Sequence, residues 1–395
     1  MVYPFKLLRM AMVPDESVYA GEPPDTNGEP LGAVDSRLDE DRRAAIATVC
    51  GNIASGIVRR RRSDHHRTDI GNRAALPPSD DRVSSPQTPA RARGAVRNGT
   101  QAMVSPRRVV ERFRTNPREA RHAIAVKMAI WCLNFKNRFS RRSVTGSAAV
   151  VVSLTTYGFR AEYVHLAIES ICAGSVRPQR IILWIDDELI LDQLPAALRR
   201  LQNRGLEIAQ CADYGPHKKQ YPYAVSKTHH SIPMATADDD VLYPRRWLEG
   251  LISARARSPN AVIGYRAHQL VFKDGVLEPY ATWPPRRSNQ PSFQAFCTGV
   301  SGVLYPPALL DELRDEGARF MELCPRADDV WVHFVSVRHG FKHQQVFDTQ
   351  AEFQAIPAAQ AGTLYGLNVI RGGNDKQLAD TYSSEDLDSL AAALA

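Results

Sequence analysis

From Ser147 onward, short apolar runs alternate with longer segments of helical period, and this alternation narrows the fold more than any other feature of the chain. "AAVVVSLTTYGFR" is β-branched and apolar, lacks the every-second-residue polarity of a half-exposed strand, and ends in turn residues. "AEYVHLAIESICAGSVRPQ" follows, with Val164, Ile168, Ile171 and Cys172 at amphipathic helical spacing. Next come "RIILWIDDE", the helical segment "LPAALRRLQNRGL" closed by Gly205, and the strand "EIAQCADYGP". Strands apolar on both faces and separated by helices predict a mostly parallel sheet covered on both sides, an α/β fold. Ligands of such sheets bind beyond the C-terminal strand ends. Those ends are "TTYGFR", "DDE" and "DYGPHKK".

Downstream, "YAVSKTHHSIPMATADDDVLYPRRWLEGLISARARS" reads as a helix, a short segment, an acidic triplet and a helix beginning near Pro244. "NAVIGYRAHQLVFKDG" reads as one strand ending at the Asp274-Gly275 turn, with "VLEPYATW" as its return. "FCTGVSGVLYPPALL", "ELCPRADDVWVHFVSVRHG" and "LYGLNVIRGGNDKQLAD" follow without internal repeat, and 381–395 is a tail or helix.

Before Ser147 the chain has a different character. Residues 1–104 are rich in Arg, Pro, Ala, Gly and Asp, include "RRRRSDHHRTD", and have almost no aromatic residue after Tyr19. Such a stretch buries too little apolar area to offset its ordering entropy, so a disordered, solvated basic tail is expected. Met103 opens a more protein-like segment and is a candidate alternative start. The opening "MVYPFKLLRMAMVPDE" lacks the h-region and cleavage site of a signal peptide. Residues 105–145 carry helical apolar spacing broken near Asn116-Pro117, with Ala123 to Phe135 apolar between basic flanks. That suits a helix docked on the next domain, the favoured expectation, or a peripheral contact of 105–142 with an anionic membrane.

The net charge of +7 resides in this N-terminal part. Residues 1–143 hold a surplus of about eleven basic groups and the remainder sums to about −4. The six cysteines are scattered without a C-x-x-C pair. They read as reduced thiols of a cytoplasmic protein, peripheral on the inner membrane face if the basic helix engages lipid, and not as a zinc site. No stretch reaches the roughly 18–20 apolar residues that span a bilayer.

The acidic triplet Asp238-Asp239-Asp240 sits where a fourth strand should end. Adjacent carboxylates repel, and burying them is costly unless a cation or donors compensate. Two carboxylates two residues apart can share a hard divalent ion, Mg²⁺ or Mn²⁺, and leave positions for phosphate oxygens. A solvated acidic turn is the bland alternative. Asp328-Asp329 begins another apolar segment, where helix N-capping would account for one carboxylate.

The order "VVVSLTTYGFR", "IILWIDDE", "DYGPHKK", "ATADDDVLYPRRWL", "GVSGVLYPP" and "CPRADDVWV" resembles bacterial nucleotide-sugar-dependent glycosyltransferases of the GT-A fold, family 2-like and D-x-D-containing. The resemblance covers about residues 148–378 and implies a Rossmann-like domain over 146–380. It further implies that Thr155, Tyr157 and Arg160 line the nucleotide pocket, with the rigid fork of Arg160 suited to phosphate. Asp187 would face base or ribose, and Lys218 would neutralise diphosphate. Asp238 and Asp239 would hold ribose, with Asp240 directly on the metal and Asp238 beside it. Asp329, with Asp328 close behind, would take the proton of an acceptor hydroxyl, as an inverting enzyme requires; without a carboxylate on that face, retention is expected.

By the same resemblance, "CTGVSGVLYPP" brings a loop backbone toward sugar or acceptor, the alternative being a plain tight turn. "GGNDKQL" closes the donor site unless Asn374 or Asp375 merely caps a helix, which is favoured. A late metal-ligating histidine would be His333, His339 or His343, against the alternative of core or surface residues. The implied partners are a nucleotide-sugar and a glycan, lipid-linked or other hydroxyl acceptor. Two other functions compete. A nucleotidyl or phosphoryl transferase would use the same acids, but the chain has no G-x-x-x-x-G-K-[ST] loop. A nucleic-acid-binding protein acting through the Arg-rich tail would lack stacking aromatics.

Overall fold

The computed structural model describes residues 116–360 and 372–392. The basic tail expected at 1–104, the candidate start at Met103 and the first part of the 105–145 segment lie outside the described residues.

Seven strands form the central sheet, in the order β3-β2-β1-β4-β11-β6-β12. In chain order the strands are β1 (Ala148–Thr155), β2 (Pro178–Ile185), β3 (Leu206–Gln210), β4 (Met234–Ala237), β5 (Val241–Leu242), β6 (Val262–Gly264), β7 (Ala267–Gln269), β8 (Phe272–Lys273), β9 (Val276–Leu277), β10 (Ala295–Cys297), β11 (Val303–Tyr305), β12 (His343–Gln345) and β13 (Gln354–Ala355). β1, β2, β3 and β4 pair in parallel, as do β6 and β12, while β11 runs antiparallel between β4 and β6. The sheet is therefore mostly parallel, with helices packed on it, as the alternation of segments predicts.

The apolar runs become buried strands for the expected reason. Val151, Val152, Leu154, Ile181 and Leu183 are fully buried, on both faces of the sheet. Each such side chain contributes roughly 1.5–3 kcal/mol of transfer free energy. The helix Val164–Cys172 covers one face, and residues of the Asp328–Arg338 helix belong to the core on the other. The segment 260–275 departs from the single strand expected. It breaks at Tyr265-Arg266 into β6, which stays in the sheet, β7, which pairs with β10, and β8, which forms the hairpin with β9 through Asp274-Gly275.

Asn116-Pro117 starts a helix where a break was expected. Proline occupies the first turn of Pro117–Phe139, and the Asn116 side chain accepts from Glu119 N. This helix docks through a polar clasp. Asn137 donates to Glu169 Oε1 and to Ala197 O and accepts from Arg200 Nε, while Asn134 Oδ1 meets His165 Nε2 at 2.9 Å. At the other end of the chain, helices Gly373–Thr381 and Ser384–Ala392 pack back on the domain. Leu390 is buried, and Arg338 pairs with Asp386. The five cysteines among the described residues are free, and no described helix is long and apolar enough to cross a membrane.

Candidate active site

Strand order reverses between β1 and β4: β2 and β3 extend from one side of β1, and β4 lies on the other. The crevice beyond the C-terminal ends of such a strand pair is the natural ligand position of an open α/β sheet. The turn after β1 delivers Thr156, Tyr157 and Arg160 to it, and the turn after β4 delivers Asp238, Asp239 and Asp240.

The triplet is held from several directions. Asp238 N donates to the hydroxyl of buried Tyr243 at 2.6 Å, and Tyr243 N donates to Ser170 Oγ, so the tyrosine five residues on fixes the turn. The Asp240 carbonyl accepts from Ile356 N, next to β13, which pairs with β5. The positive charge on the triplet comes from the protein itself. Arg160 Nη1 lies 2.8 Å from Asp239 Oδ1 and 3.1 Å from Asp240 Oδ2, and Lys219 Nζ lies 2.5 Å from Asp238 Oδ1. Thr156 Oγ1 donates to Asp239 Oδ2 at 2.8 Å. Asp239 is thereby occupied internally, orienting Arg160. Asp240 has only a share of that guanidinium: burial, then Asp238, push its carboxyl up to about 6, with Arg160 pulling the other way.

Lys219 also joins the two acidic motifs. Against its burial, Asp238, Asp328 and Asp329 together hold the Lys219 ammonium well above its ordinary value. Asp328 and Asp329 occupy the first turn of Asp328–Arg338, but neither is a side-chain cap, since the N-cap position is Ala327. Asp328 Oδ2 accepts from Gln220 Nε2 at 2.9 Å, and Asp329 Oδ1 accepts from Gly299 N at 2.8 Å. A Cβ on Gly299 would lie 3.3 Å from Asp329 Oδ1 and 3.6 Å from Lys219 Nζ, so the loop between β10 and β11 reaches the carboxylate and the ammonium together. Its glycine is there for close approach. Burial, ahead of Asp328, raises the Asp329 carboxyl well above the ordinary range.

The other expected site residues have protein partners of their own. Lys218 does not meet the triplet; its Nζ lies 2.6 Å from Asp186 Oδ1 and 3.3 Å from Asp213 Oδ1, between the ends of β2 and β3. The adjacent Lys219 takes the position at the triplet. Asp187 caps the helix Glu188–Asp192 by accepting from Leu189 N. Thr155 Oγ1 donates to Trp184 O, while its neighbour Thr156 reaches Asp239. Tyr157 is exposed at the rim, with the Arg160 guanidinium 5.2 Å from its ring centroid.

The three late histidines are engaged elsewhere. His333 meets Tyr382 Oη and Phe293 O, and His343 is buried beside it and accepts from Cys297 N. His339 pairs with Glu312 and Glu316. Asn374 and Asp375 do not cap their helix either: its N-cap is Gly372 in the left-handed region, and Asp375 Oδ1 accepts from Tyr280 N.

The acids fit a divalent ion. Three carboxylates face two protein cations, so one negative charge at the triplet is left over. It is concentrated on Asp240, a hard oxygen donor suited to Mg²⁺ or Mn²⁺. Among the described residues no group of three or more His, Cys, Asp or Glu could hold an ion by itself. The protein's share of a shell would thus be Asp240 with Asp238.

No family model matches the chain, and no curated protein does. Among solved structures, S. aureus TarS 1–349 is similar at 14% identity over 62% of this chain and 69% of that one, with a TM-score of 0.37. The same protein in complex with UDP is similar at 13% identity over 62% and 70%, TM-score 0.37. The mannosyltransferase PcManGT from Pyrobaculum calidifontis, in complex with GDP-Man and Mn²⁺, is similar at 15% identity over 70% of this chain and 78% of that one, with a TM-score of 0.39.

Proposed function

We propose that the chain is a divalent-metal-assisted glycosyltransferase of GT-A type, moving a sugar from a nucleotide-sugar to a hydroxyl acceptor. The observation that carries this reading is the meeting of both acidic motifs on Lys219, at the crevice where strand order reverses. A solvated acidic turn would not have two of its three charges met by buried Arg160 and partly buried Lys219, nor be shared with a second carboxylate pair some ninety residues away.

In this reading Tyr157, exposed at the rim, receives base or ribose, with Asp187 after β2 as a second contact. Lys218, with Asp186 and Asp213, closes the β2–β3 side. Arg160, fixed by Asp239 and Thr156, presents its remaining donors to phosphate oxygens. Asp240 and Asp238 would hold the ion, which would supply positive charge to the leaving diphosphate. Lys219 faces the same developing negative charge from the protein side.

Asp329 is the general base. It removes the acceptor hydroxyl proton as that oxygen bonds to the anomeric carbon. The bond from that carbon to the diphosphate oxygen breaks, the electron pair leaves with the nucleoside diphosphate, and the configuration inverts. The Gly299 N–H holds Asp329 in place, and Gln220 does the same for Asp328. A carboxyl raised by burial is a stronger base once ionised, which suits this task.

The test is a screen of the full chain against UDP-, GDP- and other nucleotide-sugars with Mn²⁺ or Mg²⁺, reading nucleoside diphosphate release and donor-induced stabilisation. Release or transfer with at least one donor is expected. Absence of both signals across the panel would overturn the reading. Release of pyrophosphate from nucleotides would replace it with a nucleotidyl transferase.

A further inference from the structure

The helix Pro117–Phe139 has two apolar faces. Val126 and Leu133 are buried against the domain. On the opposite side Ile124, Trp131, Phe135 and Phe139 recur at helical spacing and are exposed at 41%, 58%, 51% and 65%. The outward aromatic rings stack into a continuous strip, Trp131 on Phe135 at 5.8 Å between centroids and Phe135 on Phe139 at 4.6 Å. A helix docked on a soluble domain ordinarily turns charged residues outward. Here the strip is apolar and its margins are basic. On a helical projection Lys127 and Arg138 flank one edge and Arg121 the other, and Arg141 and Arg142 follow the C-cap; all five are exposed. Glu119 is the one acid between Asn116 and Ser147.

We propose that this face seats on an anionic bilayer, with Trp131, Phe135 and Phe139 at the headgroup boundary and the flanking Arg and Lys side chains on lipid phosphates. Aromatic rings favour that boundary, and basic residues near an anionic surface each add to the attraction. Charge argues against a second copy, which would bring two basic margins together, and against residues 59–97, with ten arginines to four acids. No described helix is long and apolar enough to cross a membrane, so this helix would lie along the interface with its aromatic rings reaching toward the acyl chains. The same helix reaches the strand pair beside the triplet through two contacts. His122 Nε2 meets Gln354 Oε1 at 2.6 Å, and Gln354 lies on β13, which pairs with β5 directly after Asp240. The inference does not depend on the transfer reaction above.

The protein carries its own reporter. Of its five tryptophans, Trp184, Trp247, Trp283 and Trp331 are buried, and Trp131 alone is exposed. Full-length protein mixed with vesicles of phosphatidylcholine and phosphatidylglycerol, about 2:1, should float with them and blue-shift its emission, while pure phosphatidylcholine gives a much smaller response. Lipids brominated on their acyl chains should quench that emission. Trp131→Ser with Phe135→Ser should weaken binding at least about tenfold with the melting temperature retained. Arg138→Gln with Arg141→Gln and Arg142→Gln should remove most of the preference for anionic lipid. Flotation without an emission change or quenching in the unmodified chain would overturn the proposal, since the tail would then carry the binding. Wild-type affinity in the serine variant, or a failure to float coupled to a dimer that this variant dissociates, would overturn it as well.

Discussion

Asp238–Asp240 and Asp328–Asp329 are both runs of adjacent carboxylates, yet the fold compensates them by different means. At the triplet the partners are full charges, Arg160 and Lys219, which leave one carboxylate short. At the pair the direct partners are neutral donors, the Gly299 amide and the Gln220 carboxamide, with Lys219 acting across the space between. Full charges on an excess of acid leave a residual negative field, the setting in which the proposed ion would be held. Neutral donors position a carboxylate without depressing its proton affinity as far as an ion pair would. The first arrangement suits charge stabilisation and the second suits proton transfer.

The sharpest way to break this contrast is at Asp240. Asp240→Asn removes the least compensated carboxylate while keeping its shape. Transfer should fall by more than about 10³-fold, since an ion on the leaving group is worth several kcal/mol. The fold should survive, because the substitution relieves a buried charge. Calorimetry or thermal scans with Mn²⁺ check the assignment: the wild type should be stabilised by saturating metal and donor, by about 2.7 kcal/mol at a hundredfold excess over Kd, and the variant should not. Equal metal stabilisation in both would move the ion elsewhere.

At the pair, Asp329→Asn should lower turnover by about 10²–10⁴-fold and leave donor affinity unchanged. The pH profile separates a base from a structural role. Burial and Asp328 raise the Asp329 carboxyl, and only its ionised form accepts a proton. Activity should therefore rise with pH along a limb lying above the ordinary carboxylate range and be lost as pH falls through it. The residual activity of the asparagine variant should lack that limb. A wild-type limb near the ordinary carboxylate value would count against Asp329 as the base.

The two adjacent lysines test whether compensation is local. Lys219→Met strips Asp238 of its partner and leaves Asp329 without the nearby ammonium. Breaking a buried pair costs about 3–5 kcal/mol, and partial exposure puts this one at the low end, about 3 kcal/mol. Lys218→Met should cost less, because one of its partners, Asp213, is largely exposed. Denaturant midpoints of the two variants check the ranking. A reversed order would mean that the triplet is solvated and not clasped.

These lysines also show where sequence stops informing. β1 and β2 are legible because the apolar runs Val150–Val152 and Ile181–Ile185 leave no alternative to burial. β6, β11 and β12 have three residues each and carry no period of their own, so their pairing is set by tertiary contacts. The aspartate runs are legible as a residue type in a place. Which neighbour faces the crevice is not: Thr155 and Thr156 point apart because a strand alternates its faces, and Lys218 and Lys219 diverge within one tight turn. Gln220 and Gly299 lie 108 and 30 residues from the aspartates they hold, beyond any local pattern.

The finest test of the contrast is Gly299→Ala. The glycine does not need a left-handed backbone, so alanine introduces no strain of that kind; only its Cβ matters. That atom would sit 3.3 Å from Asp329 Oδ1, close enough to make the carboxylate give by a few tenths of an ångström, and 3.6 Å from Lys219 Nζ, which is ordinary contact. A displacement of about 1 Å costs on the order of 10²-fold in rate, so this smaller shift should lower turnover by roughly three- to tenfold. Donor affinity and melting temperature should hold, because the triplet, Arg160 and Lys219 are left as they were. Steady-state kinetics with donor and acceptor varied separately read the result. An effect confined to turnover places the loop on the proton-accepting side of the site. A matching loss of donor affinity would mean that the two acidic motifs form one rigid cluster and do not divide the work.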